Sequence, residues 1–272
     1  MTAASPEIEQ RLVAARRFAR EAGKLTLQHF RSCDLAVDRK SDNSPVTVAD
    51  REAEQRLRTL ISEQFANDGI LGEEFGEQAG TGGFRWILDP IDGTKSFIHG
   101  VPLYTTLIGI ERDGAGLAGV IYAPATDEMV SAARGGSAIY EVGGSLSRVA
   151  HVSQTSSISE ACVLTTGLAG FSRERDVDAT ERFLHLQASA RLARTWGDAY
   201  GYLLVATGQA DVMVDPALHV WDAAAIQPIL EAAGGRFTDW QGNATIHGGD
   251  GIGTNGRLHN EVLAALGGTS NR

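Results

Sequence analysis

The chain has 272 residues, enough for one large domain or two modest ones that share a core. Hydrophobic residues make up 43% and charged residues 21%, an ordinary balance for a soluble globular protein. The net charge of −10, from 24 basic and 34 acidic residues, argues against a nucleic-acid or anionic-membrane partner. Cys33 and Cys162 are the only cysteines and lack metal-ligand spacing, which argues against a disulfide scaffold, a zinc ribbon or an iron–sulfur site. The first residues lack the basic-then-apolar pattern of a signal peptide, and no apolar run reaches membrane-spanning length. A cytoplasmic location is therefore expected, and the sequon at Asn243-Ala-Thr245 carries no meaning.

Ser5-Pro6 suits a helix start, with a hydroxyl at the cap and proline in the first turn. Ile8, Leu12, Ala15, Ala19, Ala22 and Leu25 then recur at helical spacing and predict a long amphipathic helix. A polar loop over Asp38–Pro45 leads to a second helix from Val48 to Phe65, with Ala49, Ala53, Leu57, Leu60 and Gln64 along one face. Ile70-Leu71 reads as a short strand. Phe84 to Leu88 reads as a buried strand ending at Asp89. Runs at 106–110, 117–122 and 129–133, punctuated by Asp113-Gly114 and Gly135-Gly136, predict an antiparallel meander. Beyond Gly143-Gly144, strands at 161–165, 192–195 and 210–214 alternate with helices at 174–188, 199–207 and 220–233. The expectation is a single α+β body, with approximate halves 1–144 and 145–272, the second of α/β character.

Chemistry concentrates in Trp86-Ile-Leu-Asp-Pro-Ile-Asp-Gly-Thr-Lys-Ser-Phe97. Asp89 and Asp92 lie at the end of a core strand, where Pro90 offers no amide hydrogen to continue a ladder. Gly93 permits a tight backbone, and Thr94 can cap a following helix. Two carboxylates would thus converge beside backbone amides at a helix N-terminus. Carboxylates hold hard cations such as Mg²⁺, and the amides hold phosphate. The acidic balance of the chain fits this reading, because acidic residues attract phosphate only once divalent ions occupy them.

This segment resembles the signature of the inositol-monophosphatase-like family, whose fold is a layered αβαβα sandwich. Gly72-Glu73-Glu74 is similar to the family's upstream metal-binding motif. Trp221-Asp222, leading into Ile229–Gly235, is similar to its downstream one, and Thr47-Val-Ala-Asp50 to the segment whose aspartate pairs with the motif threonine. The likeness runs from about Lys40 to Gly235, and one departure is Ile226, where the family usually keeps a small residue. The resemblance implies that Glu73, Asp89, the Ile91 carbonyl, Asp92 and Asp222 hold two or three Mg²⁺ ions. It implies that Asp50, Glu73 and Thr94 are catalytic, with Asp50 and Thr94 deprotonating a metal-activated water for in-line attack. It further implies that the Gly93 and Thr94 amides grip the phosphate of a small monoester, and that the protein is a homodimer.

Leaving-group recognition is expected from Arg194-Thr-Trp-Gly-Asp198-Ala-Tyr200 and from Asp211–Asp215, together with Asp92 and Asp222. Asp198 stands where the inositol-specific branch usually keeps a small hydroxyl residue. Two carboxylates, Asp198 and Asp215, suit a cationic alcohol better than a neutral polyol. Lys95-Ser96 and Trp-Gly-Asp198-Ala-Tyr also resemble the histidinol-phosphate phosphatase branch, which makes histidinol phosphate, in histidine biosynthesis, the first expectation and inositol-1-phosphate the second. A second phosphate on the substrate would need a basic pocket that these residues do not supply. A non-catalytic metal- or phosphate-binding regulator is the reading of another class, and it would be marked by a lost ligand. No matching position is lost.

Gly251-Ile-Gly-Thr-Asn-Gly256 matches a dinucleotide fingerprint literally, but it follows a polar segment and only 16 residues remain after it, so a loop is expected. No phosphate-binding Walker motif and no G-x-S-x-G elbow occurs, and His219, three residues before Asp222, reads as packed or surface.

Overall fold

The computed structural model describes residues 5–32, 36–39 and 45–267. Cys33, Lys40 and the centre of the expected polar loop, residues 41–44, lie outside the described residues. Helix α1 (Pro6–His29) buries Leu12, Ala15, Phe18, Ala19 and Ala22. Ser5 caps it through its carbonyl, which accepts from the Ile8 and Glu9 amides, and not through its hydroxyl. Where a loop was expected, β1 (Val37–Arg39) and β2 (Pro45–Thr47) pair antiparallel. Helix α2 (Val48–Gln64) buries Ala49, Ala53, Leu57 and Ile61. Leu60 is half-buried and packs against the same core, Gln64 is exposed, and the fully buried stripe ends at Ile61.

Strands β3 (Gly69–Gly72), β4 (Gly76–Gln78) and β5 (Phe84–Asp92) come next, followed by the short helix α3 (Thr94–Ile98). Strand β5 does not end at Asp89. Its pairing reaches Asp92, with a register shift between the two aspartates. Pro90 is accommodated in that irregularity, and its carbonyl accepts from Thr106 Oγ1 at 2.9 Å. The meander comprises β6 (Thr105–Arg112), β7 (Ala115–Ala123), β8 (Glu128–Ala133), β9 (Ile139–Val142) and β10 (Leu146–Val149). It therefore continues one strand past the Gly143-Gly144 turn.

The second half holds β11 (Cys162–Leu164), α4 (Gly170–Arg173), α5 (Thr180–Ser189), β12 (Leu192–Arg194) and α6 (Ala199–Ala206). It continues with β13 (Val212–Asp215), α7 (Val220–Ala232), β14 (Arg236–Thr238), β15 (Gly251–Thr254) and α8 (His259–Leu266). The helix expected from 174 begins only at Thr180, as α5; the short α4 precedes the expected range, and the two stack the Phe171 and Phe183 rings at 4.2 Å. The supposed loop at 251–256 contains β15, a strand flanked by β13 and β14 and antiparallel to both. A dinucleotide motif needs a parallel strand–helix–strand unit, so that reading stays excluded for a better reason.

An eight-stranded sheet runs β10-β9-β8-β7-β6-β5-β3-β4 and a five-stranded sheet β12-β11-β13-β15-β14. Alternation along β5 sorts the layers: Trp86 and Leu88 pack with α1 and α2, while Ile87 packs with α6 and α7. On their other side α6 and α7 meet Leu164, Met213 and Phe237 of the smaller sheet, whose outer face (Val163, Val212, Ile252) is covered by α5 and α8. The result is the expected α+β sandwich of layers αβαβα. Helix α7 presses directly on the larger sheet at Gly109 and Gly119, where a Cβ on Gly119 would lie 2.1 Å from the Ala225 carbonyl oxygen. Gly119→Ala should therefore lower stability by about 2 kcal/mol or more, read from denaturant unfolding. A change within experimental error would show that the helix–sheet contact is not tight.

Candidate active site

Three carboxylates, Asp89, Asp92 and Asp222, place oxygens within 4.8 Å of one another. The residue before the β5 bulge, the residue that ends β5 beyond it and the third residue of α7 thus meet in one cavity, which Glu73 also lines. Each acid is fixed by the backbone around it. Asp89 accepts from the Ile91 amide at 3.1 Å. Asp92 accepts from Thr105 Oγ1 at 2.8 Å and from the Ala199 amide at 2.7 Å, so α6 points its first turn at this carboxylate. Asp222 accepts from the His219 amide at 2.7 Å in a capping box. The loop carrying Glu73 hangs on buried Glu54, which accepts from the Glu74 amide at 2.7 Å and pairs with Arg58 at 2.8 Å.

Burial and mutual repulsion dominate the electrostatics. Burial first, then the neighbouring acids Glu73, Asp92 and Asp222, push Asp89 well above the usual carboxylate range. Burial and then Asp198 do the same to Asp92. Asp222 is pushed up to about 7, chiefly by burial. The Asp89 side chain is in hydrogen-bond contact with both Glu73 and Asp222. Such carboxyl–carboxylate contacts require shared protons, or a cation in their place. The donor set is all oxygen and anionic, and it fits a hard divalent cation. The Ile91 carbonyl, which accepts from Thr94 Oγ1 at 3.2 Å, lies on the same turn.

Other expectations are redrawn. Thr94 does not cap α3: Gly93, in the left-handed region at φ 81°, is the cap, and Thr94 is the first helical residue. Asp50 and Thr94 do not hydrogen-bond. Asp50, only 1% exposed, accepts from the Thr47 amide at 2.8 Å and hydroxyl at 2.6 Å, closing a local capping box beside Pro45 of the cavity wall. Burial pushes its carboxyl up to about 6 despite those bonds. Arg194 lies exposed on edge strand β12, donates to the Ala193 carbonyl at 2.7 Å, and is not among the residues lining the cavity. Ile226, fully buried, packs α7 and also reaches the cavity, so this departure from the family pattern touches more than helix packing. His219 lines the cavity with its ring stacked on Trp221 at 4.6 Å.

Asp198 and Asp215 both line the cavity. Asp198 comes closer to the motif than its place in the chain suggests. A Cβ on Gly93 would lie 2.7 Å from Asp198 Oδ2, so the glycine is required by shape as well as by φ. Burial raises Asp198, opposed by the Lys95 ammonium and the Thr166 hydroxyl. Burial pushes Asp215 up to about 7, opposed by Thr166, whose amide donates to it at 3.3 Å. Lys95, Thr166, Arg173 and Glu174 complete the wall. Thr105, Glu54, Thr166 and Glu174 escaped sequence reasoning, because nothing local to them marks their distant partners.

The chain matches the inositol monophosphatase family over residues 7–270. It belongs to that family. It is similar to the histidinol-phosphatase of Chlorobaculum parvum, at 42% identity over 94% of this chain and 96% of that protein. It is likewise similar to the histidinol-phosphatase of Mycobacterium tuberculosis, at 40% identity over 94% and 97%. An inositol monophosphatase from Zymomonas mobilis superposes with a TM-score of 0.81 at 32% identity, over 95% of this chain and 98% of that one. Family and relatives make the chain a phosphatase of a phosphate monoester, in a family that is generally metal-dependent. Among the described residues, no helix is long and apolar enough to cross a membrane.

The raised carboxyls fix a sign for stability. Asp215 and Asp222 are held up to about 7, whereas the unfolded chain releases these protons in the ordinary aspartate range of about 4. The native state therefore binds more protons across that window, and stability falls as pH rises through it. In chelator, Tm should drop steadily from about pH 5 to pH 8; a Tm that rises over this range would contradict the assignment.

Proposed function

We propose that this chain hydrolyses L-histidinol phosphate to L-histidinol and phosphate, a step of histidine biosynthesis, in the cytoplasm and as a homodimer. The observation that carries the substrate is the pair Asp198 and Asp215, two carboxylates in one cavity with the acid cluster, bridged by Thr166. Histidinol offers an ammonium and an imidazole, and paired anions favour such a leaving group over a neutral polyol. The names of the relatives at 42% and 40% identity agree with this choice.

Glu73, Asp89, Asp92, Asp222 and the Ile91 carbonyl would hold two or three Mg²⁺ ions. When bound, Mg²⁺ supplies positive charge for the phosphate oxygens and makes water more acidic. The rest is done by the chain. Asp92 is held for this task by Thr105 and by the start of α6. The left-handed Gly93 opens the first turn of α3, where the Gly93 and Thr94 amides would grip the phosphate. Glu73 and the Thr94 hydroxyl would orient the attacking water opposite the leaving oxygen, and Glu73 would take the water's proton as the new P–O bond forms. Asp50 supports them from Thr47, keeping the turn that brings Pro45 to the cavity wall. Asp198 and Asp215 hold the cationic alcohol until its oxygen leaves with a proton from solvent.

Two steady-state comparisons test the proposal. With Mg²⁺ present, kcat/KM for histidinol phosphate should exceed that for inositol-1-phosphate at least about tenfold, and Asp198→Ala should erase most of the preference. An equal rate on both esters, or a preference untouched by the substitution, contradicts the substrate. Asp92→Asn should lower turnover of either ester by about a thousandfold. A wild-type protein that binds Mg²⁺ yet hydrolyses no ester in a broad panel would point to a binding protein instead.

A further inference from the structure

Tyr202 sits on α6, one turn beyond the Ala199 amide that holds Asp92. Its side chain is 1% exposed and packs its ring against β15, where a Cβ on Gly253 would lie 2.7 Å from ring atoms Cδ1 and Cε1. Phe237 meets the same ring edge-on at 6.0 Å. All of these contacts are apolar, and phenylalanine would make every one of them. The hydroxyl is the exception. It is buried, makes no hydrogen bond of ordinary geometry among the described residues, and belongs to a residue that lines the active cavity. Buried polar groups without partners are rare in native proteins and call for an explanation.

The acceptor nearest to hand is Asp215. The phenol is in contact with that carboxylate and also feels the charges of Asp222 and Asp92. Burial, and then the charge of Asp215, keep the phenol protonated, so it can only donate toward an anion. Asp215 itself is 3% exposed, accepts from the Thr166 amide at 3.3 Å, and is in hydrogen-bond contact with the Thr166 hydroxyl, which it shares with Asp198. A further donor on its inner side would hold one oxygen while the other faces outward.

We propose that Tyr202 is a positioning residue for leaving-group recognition: its hydroxyl donates to the inner oxygen of Asp215 and turns the outer oxygen toward the cationic alcohol of the substrate. No bond is made or broken at Tyr202. The inference rests on the reading that Asp215 faces the leaving group. It makes the floor of the cavity a link between α6, which holds Asp92 by its first amide, and the carboxylate that reads the substrate.

The test compares two esters that share the phosphate and differ in the leaving group, histidinol phosphate and 4-nitrophenyl phosphate, in wild type, Tyr202→Phe, Asp215→Asn and the double variant. Tyr202→Phe keeps the packing, and an unchanged Tm would verify this. The ratio of kcat/KM for histidinol phosphate over 4-nitrophenyl phosphate should fall about tenfold, through KM for the cationic ester. Adding Tyr202→Phe to Asp215→Asn should lower the ratio no further. An equal loss on both esters, an unchanged ratio, or additive losses in the double variant overturns the proposal. If Asp215→Asn alone leaves the ratio unchanged, the leaving-group reading of Asp215 falls and this inference with it. If Asp215→Asn lowers the ratio and Tyr202→Phe does not, only the role of Tyr202 falls.

Discussion

Mutual repulsion among buried carboxylates is the constraint around which this molecule is arranged. Asp89, Asp92 and Asp222 crowd within 4.8 Å, Glu73 shares a hydrogen bond with Asp89, and Asp198 adds its charge to Asp92. Left to themselves, such groups would separate into water or keep their protons. The fold prevents the first outcome by anchoring each acid to rigid backbone. β5 carries two of them past a bulge, α7 caps itself with the third, and Glu54 suspends the loop of the fourth. A divalent cation removes the second outcome, and the metal dependence of the family follows from that electrostatic demand rather than standing beside it.

The close packing of the two sheets around α6 and α7 serves the same end. Gly109 and Gly119 let α7 lie on the larger sheet, and this brings Asp222 to the end of β5. Gly253 lets the Tyr202 ring reach the cavity from α6. Gly93 serves twice, for its left-handed turn and for the space that Asp198 fills. Asp198, the proposed recognition residue, and Asp92 therefore share one field, so a substitution at Asp198 changes the charge that Asp92 feels.

Much of this was legible in the sequence, for physical reasons that differ from one part to the next. The buried strand ending in Asp89-Pro-Ile-Asp92 announces itself by composition, and the meander by its turn residues. Glu73 and Asp222 become legible only through their order around that motif. The Asp50–Thr94 pairing was misread because Thr47, three residues away, offers Asp50 a local capping box, and a local bond costs less chain entropy than a distant one. Strand β15 was hidden because its glycines are there for neighbours: a Cβ on Gly251 would meet Leu218, and one on Gly253 would meet Tyr202. Thr105 and Glu54 act on residues far along the chain, and such tertiary contacts leave no periodic trace. Arg194 looked functional only through its neighbours in sequence, and the edge strand turns it outward.

The account stands or falls on whether the acid cluster exchanges protons for a cation. Calorimetric titration with Mg²⁺ at pH 6.5, repeated in buffers of different ionisation enthalpy, counts the protons released per site. The account predicts release of about one proton or more at that pH, diminishing toward zero as the pH approaches 9, and strongly reduced binding in Asp222→Asn. Binding without proton release at pH 6.5, or binding of unchanged affinity in Asp222→Asn, would contradict it.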